Sequence, residues 1–384
     1  MPYWRLSLYY FCYFATLGVL IPYWGLYLQS LGFSALEIGQ LMALLLATKI
    51  IAPNLWSWVA DHTGECMRIV RIAGFLSLLI FLGAFAIRDF WGMALVMMGF
   101  SFFWNASLPQ IEAITLNHLG ADAHRYGKIR LWGSFGFITL VVALGPFVDR
   151  FGPAVALPAL AAALAGVWLA SLLIPEADRV PATGDGERLT QMLRRPEVLA
   201  LLAACLLMQA SHAPLYTFFS IYLDSYGYTK SLIGILWALG VICEVVVFLV
   251  MHRVFRFSSL ATILWITFAT TAFRWLLIAF YPERVEVMMI AQALHAITFG
   301  AYHATAIQLI HHFFRHNHQY RGQALYSSAS FGVGGALGSL YSGYIWTAWG
   351  PVQTYLTASV LAVVAGVLIG VFVSPALARA RQAD

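Results

Sequence analysis

Long apolar stretches recur along the whole chain, separated by short polar intervals. A membrane-spanning helix needs ~20 apolar residues, and windows of about that length occur twelve times. They cover residues 6–28, 38–60, 69–87, 91–116, 131–148, 154–174, 198–223, 231–251, 259–281, 286–312, 321–346 and 351–374. The first window is longer than a signal-peptide core and has no small-residue cleavage site after it, so we interpret it as a spanning helix. The pattern predicts an all-α membrane protein with twelve transmembrane helices.

The longest polar interval, residues 175–197, divides these spans six and six. It contains proline, glycine and charges of both signs, which is typical of a flexible linker. We predict a six-helix half over 1–174, a cytoplasmic linker, and a second six-helix half over 198–384. A short repeat favours duplication, because Ser-Phe-Gly at 134–136 returns at 330–332. Two such halves form the architecture of one large class of transporters.

The composition agrees with an embedded chain. Of 384 residues, 61% are hydrophobic and 10% are charged, whereas soluble domains are roughly 45–50% apolar. The four cysteines have no paired spacing, so neither a disulfide framework nor a zinc site is indicated. With both termini inside, the cytoplasmic loops and tails hold sixteen Lys and Arg residues and the opposite loops hold four. This bias predicts a multi-pass protein of the cytoplasmic (inner) membrane with both termini in the cytoplasm.

Ionisable residues inside the apolar spans are the main functional signal. Such a residue costs several kcal/mol unless it has a partner or a water-filled cavity, so it marks a pathway. Glu112 ends the fourth span, Arg130 opens the fifth, and Lys49 lies near the middle of the second. Glu244 and Arg274 lie on the eighth and ninth spans and are placed to pair if those helices are neighbours. The plainer alternative is that Glu112 and Arg130 only join two helix ends.

The loop after the second span carries a short charged motif with Asp61, Gly64 and Arg68. This spacing resembles the loop signature of the major facilitator superfamily. The resemblance implies that Asp61 caps a neighbouring helix and that the motif latches the cytoplasmic side. The chain departs from the signature at Ser57, where a glycine is usual, and at Glu65, where basic residues usually follow.

A wider resemblance covers nearly all of the chain. The segments 126–134, 209–213 and 236–241, together with Glu244 and Arg274, are similar to the phenylpropionic acid permease family. More broadly, the chain resembles the proton-coupled lactose permease and nucleoside–proton symporters. These resemblances imply the major facilitator fold.

The resemblance also implies roles for individual residues. Glu112 and Arg130 correspond to the substrate-binding glutamate and arginine of the lactose permease, and Ser134 and Phe137 to the small and aromatic residues further along its fifth helix. Glu244, Arg274 and His295 correspond to its membrane glutamate, arginine and histidine on helices eight, nine and ten. The proton-carrying glutamate three residues after that histidine is Thr298 here. Proton coupling is therefore expected to use Glu244, Glu112 or His295.

These features predict a secondary transporter that takes up a small aromatic carboxylate, such as 3-phenylpropionate, with a proton by alternating access. Arg274 or Lys49 first, and Arg130 second, are expected to attract the carboxylate. Protonation of Glu244 or Glu112 is expected to lower the free energy of the loaded, occluded state. We expect no metal, no cofactor other than the coupling proton, no nucleic-acid partner, a lipid bilayer around the chain and a monomeric state.

Three alternatives stay open from the sequence. A sugar or a nucleoside is a competing substrate on the same scaffold, and export is a competing direction. A non-transporting membrane receptor is another class, although no signalling domain is recognisable in the chain. A membrane-embedded enzyme is the third, but no familiar catalytic motif is present, so we predict that the protein is not an enzyme.

Overall fold

The computed structural model describes residues 1–177, 193–314 and 319–383. Within these ranges the secondary structure is helical, with short connections and no strand. Most of the predicted linker, residues 178–192, lies outside the described residues, as does the side chain of Asp61.

Six long helices precede the linker. They are α1 (Tyr3–Ser30), α2 (Ala35–Thr63), α3 (Cys66–Phe81), α4 (Phe90–Leu119), α5 (Tyr126–Phe151) and α6 (Ala156–Leu172). Local capping explains several of their ends. Ser34 and Glu37 form a reciprocal capping box that begins α2, and the Asp89 carboxylate accepts a hydrogen bond from the Gly92 N–H at the start of α4, 2.9 Å away. These side chains satisfy backbone donors that no helical carbonyl can reach.

Six more helices follow the linker. They are α7 (Pro196–Ser225), α8 (Lys230–Phe257), α9 (Leu260–Phe280), α10 (Val285–Phe313), α11 (Gln319–Ser327 continuing as Gly335–Trp349) and α12 (Pro351–Leu368 and beyond). The last three each contain one wider, π-helical turn, at Ala296–Ala301, Ser328–Gly334 and Ile369–Val373. Such turns are often found at functional sites.

The prediction of an all-α membrane fold is confirmed. Eleven helices in the described part of the chain are long and apolar enough to cross a membrane. They correspond to every predicted span except 321–346. That window coincides with α11, whose first segment is polar and whose remainder is rich in glycine and serine, so its mean hydropathy is lower.

The described helices form two compact units. One consists of Met1–Pro181 and Tyr216–Ala238, and the other of Ala182–Leu215 and Leu239–Asp384. The adjoining ends of α7 and α8 therefore pack with α1 to α6. The division of the sequence at the linker stays a prediction.

Close helix contacts organise the first unit. α1 packs against α5 and α6, α3 against α4 and α6, and α2 against α4. Small residues make the α1–α5 contact possible. A Cβ atom added to Gly136 would collide with the carbonyl oxygen of Phe11, and one added to Gly18 would lie 2.7 Å from the carbonyl oxygen of Phe137. Such close approach of backbones is typical of membrane helix pairs, where packing rather than water exclusion drives association.

Candidate functional site

Glu112 and Arg130 lie in one group of side chains contributed by α1, α4 and α5. The Tyr126 hydroxyl donates to the Glu112 carboxylate over 3.2 Å. The Arg130 guanidinium carbon lies 3.7 Å from the ring centre of Phe14 and 5.8 Å from that of Tyr10. Tyr10 also meets the Tyr126 ring edge to face. We call these five residues the N-terminal cluster.

The carboxylate and the guanidinium of this cluster have different nearest partners among the described residues. Glu112 is held by Tyr126, whereas Arg130 stacks on an aromatic face, which is favourable for a cation. The described part of the chain offers no hydrogen-bond acceptor to the Arg130 N–H groups. A guanidinium has five N–H donors in a planar fork that matches a carboxylate. Arg130 is half-buried and can therefore receive an anionic ligand.

An aromatic stack lies beside the N-terminal cluster. The rings of Tyr9 and Tyr13 are 6.3 Å apart at 19°, and those of Tyr13 and Trp104 are 4.8 Å apart at 12°. Trp104 is buried, and its indole N–H has no hydrogen-bond partner among the described residues. An indole N–H usually finds a partner when buried. The α1–α4 side of this unit thus combines flat apolar surfaces with an unused donor.

Ser134 and Phe137 lie on the same face of α5 as Arg130, four and seven residues further along the helix. Ser134 is half-buried. Phe137 is buried, and its backbone is in close contact with Gly18 of α1. The structure therefore places Phe137 in the α1–α5 contact.

Lys49 lies in the middle of α2 and is half-buried. Its ammonium group has no hydrogen bond or ion pair with any described residue. The preceding residue, Thr48, is bonded to Ser101 and Asn105 of α4 at 3.0 and 2.9 Å. Successive helical residues point about 100° apart, so Lys49 projects to one side of this α2–α4 contact.

Arg274 is the centre of a second group, in the other unit. It is completely buried. Its Nε donates to the Ala291 carbonyl at 2.6 Å, and its Nη2 donates to the Gln292 side-chain oxygen at 2.7 Å. Its Nη1 lies 3.0 Å from Nδ1 of His295 and 3.1 Å from the Thr298 hydroxyl. At least four of the five guanidinium donors are thus engaged, these four by α10.

His295 connects this arginine to Glu244. Because a guanidinium only donates, Nδ1 of a neutral His295 accepts from Arg274, and the ring proton resides on Nε2. Nε2 faces a Glu244 carboxylate oxygen 3.9 Å away. We call Glu244, Arg274, Gln292, His295 and Thr298 the C-terminal cluster.

The sequence did not indicate several of these partners. Tyr126 stands inside the segment that carries the family resemblance, so its position was visible although its bond to Glu112 was not. Thr298 was expected only as the loss of a proton carrier, whereas in the structure it is a hydrogen-bond partner of Arg274. Tyr10 and Phe14 of α1 lie more than a hundred residues before Arg130, and no local pattern predicts that contact.

The loop motif after α2 is only partly described. Gly64 ends α2 with a φ of 75°, a left-handed conformation that favours glycine. Arg68 pairs with Glu65 of the same motif at 2.7 Å, and both side chains are exposed. The Asp61 side chain lies outside the described residues, so its role as a latch stays a prediction. The departure at Glu65 has a local consequence, because it gives Arg68 a carboxylate within its own turn.

Comparison with known proteins adds independent observations. The model of the MFS_1 like family matches residues 3–357. The chain is 30% identical over 351 residues to a protein of Escherichia coli (strain K12) named "Probable 3-phenylpropionic acid transporter", covering 89% of this chain and 90% of that protein. It is 28% identical over 369 residues to the maltose permease of Geobacillus stearothermophilus, covering 94% and 92% of the two chains. A crystal structure of a mutant of the nucleoside transporter NupG matches with a TM-score of 0.84 at 18% identity, covering 97% of this chain and 99% of that one.

Proposed function

The chain belongs to the MFS_1 like family of the major facilitator superfamily, and on this premise we propose that it carries a small aromatic carboxylate, such as 3-phenylpropionate, across the cytoplasmic membrane together with a proton. Both termini face the cytoplasm in this proposal, and the protein acts as a monomer. Transport proceeds by alternating access, the mechanism of secondary transporters built from paired repeats.

The observation that carries the substrate class is the environment of Arg130. Its guanidinium rests on Phe14, and its donors have no acceptor among the described residues. A carboxylate fits this fork with two parallel charge-assisted hydrogen bonds. The Phe14 ring under the guanidinium is half-buried and adds apolar surface beside this fork. The printed name of the Escherichia coli relative agrees with this choice of substrate.

The geometry favours Arg130 over Arg274 as the carboxylate ligand, which reverses the order expected from the sequence. Arg274 is completely buried and four of its donors are already engaged. Binding a substrate there would require breaking hydrogen bonds to a buried charge, which costs several kcal/mol. Lys49 is a second cation for the anion, because it is half-buried and no described residue pairs with it.

Proton coupling is assigned in this proposal to Glu112, Glu244 and His295. Protonation of Glu112 removes a negative charge close to the carboxylate that Arg130 would bind, so proton binding and anion binding favour each other. Glu244, His295 and Arg274 lie close enough for protonation of Glu244 or His295 to change the electrostatic energy of the other two residues. In this proposal, these residues carry the proton that the lactose permease binds on a glutamate, because Thr298 stands at the position of that glutamate in this chain.

A sugar is the second candidate substrate. The maltose permease of Geobacillus stearothermophilus covers almost the whole chain at 28% identity. The hydrogen-bonding side chains Thr48, Ser101 and Asn105 are of the kind that sugar hydroxyls bind, but in the structure they bond to one another. An aromatic carboxylate therefore remains the first choice.

The experiment is uptake of labelled 3-phenylpropionate into proteoliposomes under an imposed pH gradient, with unlabelled maltose and nucleosides as competitors. We expect gradient-driven uptake that phenylpropionate suppresses and the competitors do not. Arg130→Gln removes a charge-assisted pair worth about 1.5–3 kcal/mol, so KM should rise roughly tenfold to a hundredfold. Arg125→Gln, an exposed arginine paired with Asp122, is the matched control and should behave as the parent. Uptake of maltose without uptake of phenylpropionate would establish the second candidate instead.

A further inference from the structure

Three nearly parallel aromatic rings on α10 form a column that begins at His295 of the C-terminal cluster. The rings of His295 and Phe299 are 5.3 Å apart with an angle of 7°, and those of Phe299 and His303 are 5.8 Å apart with an angle of 4°. In a regular α-helix, a step of four residues rotates a side chain by about 40°. Residues 296–301 form a π-helical turn, and Phe299, the middle ring of the three, lies within it.

His303 has a partner suited to both of its protonation states. Its Nδ1 lies 2.8 Å from the hydroxyl of Tyr326 on α11. A hydroxyl can donate to a neutral imidazole nitrogen and can accept from a protonated one. Tyr326 is buried, whereas His303 is half-buried and lies about two turns nearer the carboxyl-terminal end of α10 than His295. A proton on His303 therefore keeps its hydrogen bond to Tyr326.

The charged and titratable groups around His303 come from several helices. His295 lies across Phe299 on the same helix, and Tyr326 comes from α11. Glu244 of α8 packs against Gly300, one turn before His303, since a Cβ atom on that glycine would lie 3.2 Å from the Glu244 Cγ. His212 of α7 meets the Phe299 ring at 6.4 Å. Arg274 of α9 reaches this group through His295.

We propose that His303, held by Tyr326, is a second proton-carrying residue of the transport cycle, which exchanges protons between the Glu244 and His295 pair and the solvent at the carboxyl-terminal end of α10. The inference rests on the proposed proton-coupled function and adds to it the residue that the proton occupies next. Phe299 separates the two imidazoles, so direct transfer between them is blocked and the proton crosses by way of water or Glu244. The bond made is N–H on His303, the bond broken is O–H or N–H on the donor, and no other reactant is needed.

The test separates coupled uptake from substrate exchange. Exchange of labelled for unlabelled 3-phenylpropionate needs binding and alternating access but no net proton release. We expect His303→Gln to lower pH-gradient-driven accumulation by about tenfold or more, and to leave exchange and the thermal stabilisation by substrate unchanged. Tyr326→Phe keeps the ring and removes only the hydroxyl, so it should give a smaller loss of the same kind. His118→Gln, on α4, bonded to the Pro175 carbonyl, is the control and should change neither measurement.

The outcomes distinguish two kinds of failure. If the parent protein exchanges phenylpropionate but does not respond to a pH gradient, the coupled function itself is refuted and the inference falls with it. If the parent responds and both His303→Gln and Tyr326→Phe accumulate substrate as the parent does, only the inference is refuted. A parallel loss of exchange and accumulation in both variants would also overturn it, because that result indicates a structural role.

Discussion

Replacement of Asp149 by alanine should release the first turn of α8 from the end of α5. The Asp149 carboxylate, near the end of α5, accepts hydrogen bonds from the backbone N–H groups of Lys230 and Ser231, at 2.7 and 2.9 Å, and from the Ser231 hydroxyl at 2.5 Å. It therefore caps a helix that begins about eighty residues later in the chain. A Cβ atom on Gly145 would lie 2.7 Å from the Ser231 Cα, so the two backbones are in contact at this point.

The magnitude follows from helix capping. Loss of a capping side chain costs about 0.5–2 kcal/mol, and the negative charge adds a favourable interaction with the helix N-terminus. Asp149 is exposed, so solvent screening limits the expected loss to ~1 kcal/mol. This value shifts an equilibrium between packed and separated states by about fivefold. Asp149→Asn retains one acceptor oxygen and should give an intermediate effect.

The assay is a distance distribution between spin labels at Phe151 and Tyr226, two exposed residues beside this contact, in a chain whose four native cysteines are replaced. We expect a larger population at long distance in Asp149→Ala than in the parent. Asp89→Ala is the matched control, because Asp89 also caps a helix N-terminus but caps the helix that directly follows it. The reasoning is refuted if Asp149→Ala leaves the distribution unchanged, or if Asp89→Ala produces the same change.

Two further predictions concern stability. Gly136→Ala should lower the melting temperature in detergent, because the added methyl group would collide with the Phe11 carbonyl and overpacking costs about 1–3 kcal/mol. The control is Gly127→Ala, where nothing lies within 4 Å of the new atom. Equal melting temperatures of the two variants would contradict the prediction. Arg274→Lys should lower both the melting temperature and transport, because a compact ammonium cannot reproduce the planar fork that the buried hydrogen bonds require. Arg284→Lys, at an exposed arginine, should be neutral, and a stable, active Arg274→Lys protein would show that the hydrogen-bond network around this residue is dispensable.

The sequence indicated the candidate site residues to different extents. Charged side chains inside apolar helices are detectable without coordinates, since their transfer into a membrane is unfavourable wherever they lie in the fold. This argument selects the candidates Lys49, Glu112, Arg130, Glu244 and Arg274. Their partners were not, because a hydrogen bond depends on distance and direction between residues far apart in the chain. Arg274, expected among the first ligands for substrate, makes four hydrogen bonds to α10 that no local pattern indicated.

The sequence alone determined the membrane class and eleven of the twelve predicted spans, because hydrophobic length is a property of each segment by itself. Only the tertiary structure decided that Arg130 has no hydrogen-bond acceptor among the described residues whereas Arg274 has four hydrogen bonds to α10, that Tyr326 of α11 bonds to His303, and that Asp149 caps α8. Each of these depends on the placement of one helix against another. Helix packing in a membrane is set by the shapes of two surfaces together, and neither surface is visible in the local order of residues.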